Sequence, residues 1–234
     1  FIIEGGETRI MAFFKNSDAS YIGPVRSSRH YFLDYAMEHD AIYTHFGWSP
    51  KAQSDIKTLG INNINGIYDS FFWRVSKTGW HNAVTSMENI QKYITRKNYR
   101  TTSKQEPIIS YNRYDESLES GDIANNINIK YSNLQNVSYE YDAERKVYLR
   151  SMRGIAHTDS QTKEQFYAKN IIMIKVRDEL LDDPEDKGRR ELYNIGTGKG
   201  YFVTNGQAIE ITWEKKTRSG KTIYKDLEGN EITI

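Results

Sequence analysis

The hydrophobic pattern of this 234-residue chain changes near residue 100, and that change limits the folds that the chain can adopt. The first hundred residues alternate strand and helix signals, an order typical of an α/β unit. Beyond residue 125 the signals are those of strands, separated by turn sequences such as Asn205-Gly206, a strong hairpin signal. The pattern predicts a mixed α+β protein: an N-terminal α/β unit with helices packed on a sheet, then a mostly antiparallel, β-rich C-terminal part.

The N-terminal elements are predicted from apolar spacing and from helix start and stop signals. Ser49-Pro50 is a strong helix start, with a capping residue followed by proline at the first helical position. The predicted strands are 8–14 and 41–46, and the predicted helices are 26–39, 49–59 and 85–97.

A polar stretch over residues 98–122 marks the change of pattern. We therefore predict an N-terminal part over 1–105, a linker or boundary over 106–125, and a C-terminal part over 126–234.

The segment Gly196–Gly200 (GTGKG) looks like a phosphate loop, but a Walker loop needs glycine at Tyr193 and a hydroxyl residue at Gly200. We interpret it as a glycine-rich turn between strands.

Composition excludes several kinds of site. The chain has no cysteine, which rules out disulfides, cysteine-bound metals and thiol nucleophiles within it. Its 32 Lys+Arg against 31 Asp+Glu are too balanced for a dedicated nucleic-acid binder. The five histidines lack metal-ligand spacing, so the sequence predicts no metal site, and it contains no cofactor motif.

Residues 26–29 (RSSR) combine two arginines and two hydroxyls at a predicted helix start. Positive charge there opposes the helix dipole, so a bound carboxylate or phosphate would explain these residues. The predicted ligand-binding residues are Arg26, Ser27 and Arg29, with Arg9 and Asn82. The alternative is an internal ion pair, with Glu4, Glu7 or Asp34 as the acid.

His45 ends a predicted strand and enters a predicted helix, at the edge where open α/β sheets bind ligands. It could act as an acid–base group with His81, with Ser49 or Ser28 nearby. The alternative is that His45 is a hydrogen-bonded structural residue, Ser49 a helix cap, and the loop around His81 and Asn82 one held by side-chain hydrogen bonds.

Several stretches, in this order, resemble the YerB-like bacterial lipoproteins, a family of unknown function. They are residues 4–9 (EGGETR), 22–29 (IGPVRSSR), 40–50 (DAIYTHFGWSP), 81–82 with 85–86, 139–141 with 148–150, and 196–206 running into 210–213.

The resemblance implies a protein on the extracytoplasmic face of the cell membrane, mainly in Gram-positive bacteria. It implies a lipid anchor on an N-terminal cysteine upstream of Phe1, an α/β part followed by a β-rich part, and continuation of the family pattern beyond Ile234. We therefore expect this chain to be a trimmed ectodomain. Trp48 and Val84 depart from the family pattern.

Two functions remain open from sequence. The favoured one is an envelope binding or scaffold module that recognises a protein partner or an anionic ligand through the arginines. The alternative is an envelope hydrolase or transferase that uses His45 and His81. The family brings no established activity, and the absence of any complete catalytic motif favours the first.

Overall fold

The structure is a computed structural model that describes residues 2–4, 7–15, 17–79, 81–118, 120–183 and 185–234. It is a mixed α+β fold rich in antiparallel strands, which confirms the predicted fold class. The helices are α1 (His30–Glu38), α2 (Pro50–Thr58) and α3 (Met87–Lys97). The strands are β1 (Ile2–Glu4), β2 (Glu7–Arg9), β3 (Tyr43–His45), β4 (Asn63–Asn65), β5 (Trp73–Arg74), β6 (Ala83–Val84), β7 (Asp122–Ile123), β8 (Asn126–Lys130), β9 (Asn136–Asp142), β10 (Val147–Met152), β11 (Ile155–Ala156), β12 (Tyr167–Ala168), β13 (Asn170–Ile174), β14 (Arg177–Leu180), β15 (Arg190–Tyr193), β16 (Gly196–Thr204), β17 (Gln207–Lys215) and β18 (Ile223–Lys225).

The chain divides into two compact units. The β-rich unit comprises Phe1–Ile10, Ile109–Lys216 and Thr222–Ile234, and the helical unit comprises Met11–Ile108 and Thr217–Lys221. Each unit therefore takes one segment from the other half of the sequence. In the helical unit, Arg218 forms ion pairs with Asp34 and Asp55.

The β-rich unit contains two five-stranded antiparallel sheets. One has the order β11-β10-β9-β8 with β12 paired to β10, and the other has the order β13-β16-β17-β18 with β7 paired to β17. Alternate strand residues point into a shared core, as the twofold period of a strand requires. That core joins Val137 and Tyr148 from the first sheet to Ile171 and Val203 from the second.

Strand β16 corrects the sequence interpretation of residues 196–200. The segment is not a turn; it pairs with β17 along its whole length, from Gly196 opposite Lys215 to Thr204 opposite Gln207. Two of its glycines are required by packing. A Cβ at Gly198 would lie 2.5 Å from the indole Nε1 of Trp213, and one at Gly200 would lie 2.2 Å from the Met173 carbonyl oxygen.

The helical unit is built around a short parallel pair, β3 and β4, and its core includes Tyr31, Leu33, Ile56 and Ile64. Helix α2 begins as predicted, with the Ser49 hydroxyl accepting a hydrogen bond from the Ala52 N–H at 3.3 Å.

Two predicted boundaries were wrong. Helix α1 begins at His30 rather than at residue 26, because the backbone of residues 26–28 pairs with residues 46–48. The first apolar run forms a strand only up to Arg9, because residues 10–14 have no ladder partner in the described part of the chain.

Candidate functional site

The carboxyl ends of β3 and β4 form one edge of the helical unit. The two strands are parallel, with Tyr43 opposite Asn63 and His45 opposite Asn65, so the loops that follow them leave side by side. Residues 26–28 join the same edge through a parallel bridge between Ser28 and Trp48. Because ligands of open α/β sheets bind at this edge, it is the candidate functional site.

Gly47 lies at the centre of the edge, and its backbone is held by three residues. Its N–H donates to the Asn65 side-chain oxygen at 3.0 Å. Its carbonyl accepts from the Ser28 N–H at 2.8 Å and lies 2.7 Å from His45 Nδ1. Its φ of +80° favours glycine, and a Cβ there would lie 3.2 Å from the Ser27 hydroxyl. The loop between β3 and α2 is therefore fixed in place.

His45 is 1% exposed and contacts a protein acceptor at each ring nitrogen. Nδ1 donates to the Gly47 carbonyl, which can only accept, and Nε2 lies 3.1 Å from the acceptor Asn63 Oδ1, to which it donates when the ring is doubly protonated. The Asn63 amide nitrogen donates to the Ile61 carbonyl, which fixes the orientation of that amide. This geometry gives His45 a structural role in holding the loop; its catalytic role stays a prediction.

The other residues predicted near this edge also contact the backbone. Ser49 is buried and caps α2, and the Ser27 hydroxyl donates to the Phe46 carbonyl at 3.2 Å. Arg29 turns back so that Nη1 donates to the Ser28 carbonyl at 3.0 Å. The Arg26 carbonyl accepts from the Phe46 N–H at 2.9 Å. The edge therefore brings Arg26, Ser27, Arg29, His45 and Ser49 together.

Asn82 and His81 follow the exposed loop after β5. The buried Asn82 side chain donates to the Ser76 carbonyl at 2.9 Å and accepts from Arg74 Nη1 at 2.5 Å. His81 is exposed and makes no hydrogen bond with any described residue. Arg9, the remaining predicted ligand residue, ends β2 in the β-rich unit.

Aromatic rings surround the fixed loop. We call Phe46, Trp48, Ile67, Tyr68 and Phe72 the aromatic edge; they lie in the loops after β3 and β4. The centroids of Trp48 and Tyr68 are 5.7 Å apart, and those of Phe46 and Phe72 are 5.8 Å apart in an edge-to-face arrangement. Tyr68 is 73% exposed and Ile67 54% exposed, so the aromatic edge presents apolar surface to solvent.

Sequence reasoning missed three residues that shape this edge. Asn65 accepts hydrogen bonds from the N–H groups of Gly47 and Ile67, and so holds both loops. Arg74 lies over the Phe46 ring, 5.0 Å from its centroid, and Tyr68 carries the exposed ring. The Asn-Gly pair at residues 65–66 is a turn signal, and it could have indicated the role of Asn65.

The buried imidazole predicts a dependence of stability on pH. Burial lowers the pKa of His45, and the hydrogen bonds to Gly47 and Asn63 offset this only in part. The folded protein then holds this proton less tightly than the unfolded chain, so stability falls as the pH drops below about 6.5. We expect His45→Gln to reduce the free energy of unfolding by about 1–3 kcal/mol at pH 7.5, and by less at pH 5.

Equilibrium urea unfolding at the two pH values measures this difference. The matched control is His81→Gln, which alters an exposed histidine in the same unit. An equal cost of His45→Gln at both pH values would contradict the expectation.

Two absences concern the described residues only. No group of three or more His, Cys, Asp or Glu residues there is placed to hold a metal ion. None of the described helices has the length and apolar character needed to cross a membrane.

The fold defines a mixed α+β protein with a parallel-strand edge in one unit and a two-sheet core in the other. The chain belongs to a family of unknown function, DUF3048. The family's N-terminal domain model matches residues 1–100, and its C-terminal domain model matches residues 127–234.

One curated relative and one solved structure extend this assignment. The chain is 31% identical over 221 residues to the Bacillus subtilis (strain 168) protein named "Putative lipoprotein YerB", covering 92% of this chain and 65% of that protein. The crystal structure of the Bacillus subtilis YerB protein matches with a TM-score of 0.79 and 26% identity, over 94% of this chain and 73% of that one. The resemblance to YerB-like lipoproteins is confirmed, and this chain spans just under two thirds of the relative's length.

Proposed function

We propose that this chain is the ectodomain of a lipid-anchored protein on the extracytoplasmic face of a Gram-positive cell membrane, where it binds an envelope component. The lipoprotein name of the relative supports the location. The proposed binding surface is the aromatic edge. The observation that carries the proposal is the exposed Tyr68 ring beside Trp48, on loops that hydrogen bonds to Gly47 and Asn65 hold in place.

Exposed aromatic surface on a rigid support is typical of an interaction site. Tyr, Trp and Arg contribute most to the affinity of protein interfaces, since they bury large areas and hydrogen-bond at the same time. Because the loops are already ordered, binding would lose little conformational entropy.

Basic groups flank the aromatic edge and favour an anionic partner surface. Arg26 and Arg29 lie beside residues 46–48, and Arg74 lies over Phe46. Asp69, in the loop after β4, is paired with Arg96. Positive charge around an apolar centre selects a partner that is negatively charged around its own contact.

The hydrolase alternative has weaker support. Both ring nitrogens of His45 contact protein acceptors, and no hydrogen bond joins it to His81 in the described residues. An acid–base group needs a nitrogen within reach of the substrate proton.

Co-sedimentation of the purified chain with cell-wall fragments and with membrane vesicles from a Gram-positive bacterium tests the proposal. We expect saturable binding to one fraction, which Tyr68→Ala weakens about tenfold or more by removing the most exposed ring of the edge. The matched control is Tyr111→Ala, because Tyr111 is 81% exposed and lies in the β-rich unit. Equal binding by the two variants would overturn the assignment of the aromatic edge.

A further inference from the structure

One edge of strand β10 pairs with β9 along its whole length, and a single excursion of the chain covers the other edge. Strands β11 and β12 both pair with that other edge, on either side of Arg150. Residues 157–166 connect these two strands and form a loop that begins and ends beside Arg150. An isolated bridge between Thr158 and Gln165 closes the base of this loop.

The backbone of Arg150 holds both ends of the 157–166 loop. Its N–H donates to the Phe166 carbonyl at 2.8 Å, and its carbonyl accepts from the His157 N–H at 3.0 Å. The Phe166 N–H donates in turn to the His157 carbonyl at 2.8 Å. The Gln165 side-chain nitrogen donates to the Arg150 carbonyl at 2.8 Å. The closed position of the loop therefore depends on a few contacts with one residue of β10.

A side-chain contact joins the same residues. Arg150 Nη1 donates to His157 Nδ1, and Arg150 is only 3% exposed. A guanidinium group cannot accept a hydrogen bond, so Nδ1 is the acceptor and the imidazole is neutral, with its proton on Nε2. The half-buried His157 ring also packs edge-to-face on the Phe166 ring, with centroids 4.8 Å apart. The loop is therefore closed around a neutral histidine.

No negative charge near His157 would stabilise its protonated form. Among the described residues, Arg150 carries the one charge that acts on the imidazole. From β9, Tyr139 is hydrogen-bonded to Arg150, and Tyr131 lies close to both. Burial raises the pKa of Tyr139, and it raises the pKa of Tyr131 to about 12, so both phenols stay neutral at physiological pH.

The charged groups of the loop itself are engaged elsewhere or exposed. The Asp159 carboxylate accepts from the N–H groups of Thr162 and Gln161, which lower its pKa below the usual value. Lys163 Nζ donates to a backbone carbonyl of the loop, and Glu164 is exposed. Since Asp159 keeps its charge down to a pH below 4, its titration is separate from that of a histidine.

We propose that the 157–166 loop is a pH-sensitive flap, closed against β10 while His157 is neutral and released when His157 takes up a proton. Protonation places an N–H on Nδ1, so the hydrogen bond from Arg150 is lost and two positive charges face each other. Release of the loop also frees the backbone N–H and carbonyl of Arg150 at the edge of the sheet.

The direction of the pH dependence follows from the two states of the loop. Burial and the Arg150 charge lower the pKa of His157 in the closed loop. In the released loop the imidazole regains its ordinary pKa of about 6.5 and binds the proton more tightly. The closed position is therefore fully stable above about pH 6.5 and loses stability as the pH falls.

An NMR titration of the full chain from pH 7.5 to 5.0 tests the proposal. The ring hydrogens of His157 report its protonation, and amide exchange of Phe166, corrected for the intrinsic rate, reports opening of the loop. We expect His157 to titrate below pH 6.5 and the protection of the Phe166 amide to fall about tenfold over the same range. Amides of β16 are expected to keep their protection. A titration above pH 6.5, unchanged protection of Phe166, or an equal loss in β16 would each overturn the proposal.

The variant His157→Gln separates the charge from the contact, because its amide oxygen accepts from Arg150 at any pH and takes up no proton. We expect the protection of the Phe166 amide in this variant to be equal at pH 7.5 and 5.0. The matched control is His81→Gln, which is expected to keep the tenfold fall. The same fall in His157→Gln would contradict the proposal. If glutamine leaves the loop open at both pH values, the native chain decides, since its His157 titration and its loss of Phe166 protection must share one midpoint.

The flap is independent of the proposed function. Residues 157–166 belong to the β-rich unit, whereas the aromatic edge and His45 belong to the helical unit. Local exchange at Phe166 therefore reports the flap alone, and binding through Tyr68 reports the aromatic edge alone.

Discussion

Replacing Gly200 with alanine is expected to reduce the free energy of unfolding by about 3 kcal/mol or more, as large overpacking effects do. The added Cβ would lie 2.2 Å from the carbonyl oxygen of Met173 and 3.2 Å from the Cα of Ile174. Both atoms belong to the backbone of β13, which cannot rotate away as a side chain can. Strands β13 and β16 would have to separate at the point where Ile174 pairs with Gly200.

Equilibrium urea unfolding measures this loss, and the neighbouring Lys199→Ala is its control. Lys199 is exposed on the same strand, so its truncation is expected to change stability by less than about 0.5 kcal/mol. A loss below about 1 kcal/mol for Gly200→Ala would mean that β13 and β16 do not approach each other as closely as described.

Replacing Arg218 with alanine is expected to reduce the free energy of unfolding by about 3 kcal/mol. Arg218 Nε lies 2.5 Å from an Asp34 oxygen, and its Nη1 lies 2.8 Å from an Asp55 oxygen. Asp34 is only 4% exposed, so the substitution leaves a buried carboxylate without this cation. The expected loss is at the low end of the range for breaking a buried ion pair, because the Arg218 side chain is itself 35% exposed.

Amide hydrogen exchange in α1 is the direct measurement, since Asp34 lies in that helix. The matched control is Arg177→Ala, which breaks the exposed pair with Glu179 and is expected to cost less than about 1 kcal/mol. Equal effects of the two variants would show that Arg218 behaves as a surface residue.

Elements with strong local signals were predicted well. Helix α2 follows its capping serine and proline, and the turn between β16 and β17 follows Asn205-Gly206. Both turn residues have positive φ, 48° and 78°, as a two-residue hairpin of this kind requires. Such signals act within a few residues, so a single sequence contains all the information that they need.

The candidate site was only partly predictable. The position of His45 at the end of a strand indicated the edge, but its two hydrogen-bond partners depend on how β3 and β4 lie against each other. Tyr68 carries no local signal of exposure, because an aromatic residue in a loop is equally compatible with a core position. The pairing of residues 26–28 with 46–48 also joins segments that are distant in sequence.

The sequence by itself determined the α+β class, the change to strands in the second half and the family resemblance, because periodicity, turn residues and motif order are local properties. Only the tertiary structure decided that residues 196–200 extend a strand, that residues 217–221 belong to the helical unit, and that aromatic rings surround Gly47. Each of these depends on contacts between residues far apart in the chain, and burial and hydrogen bonding across such contacts override local preference.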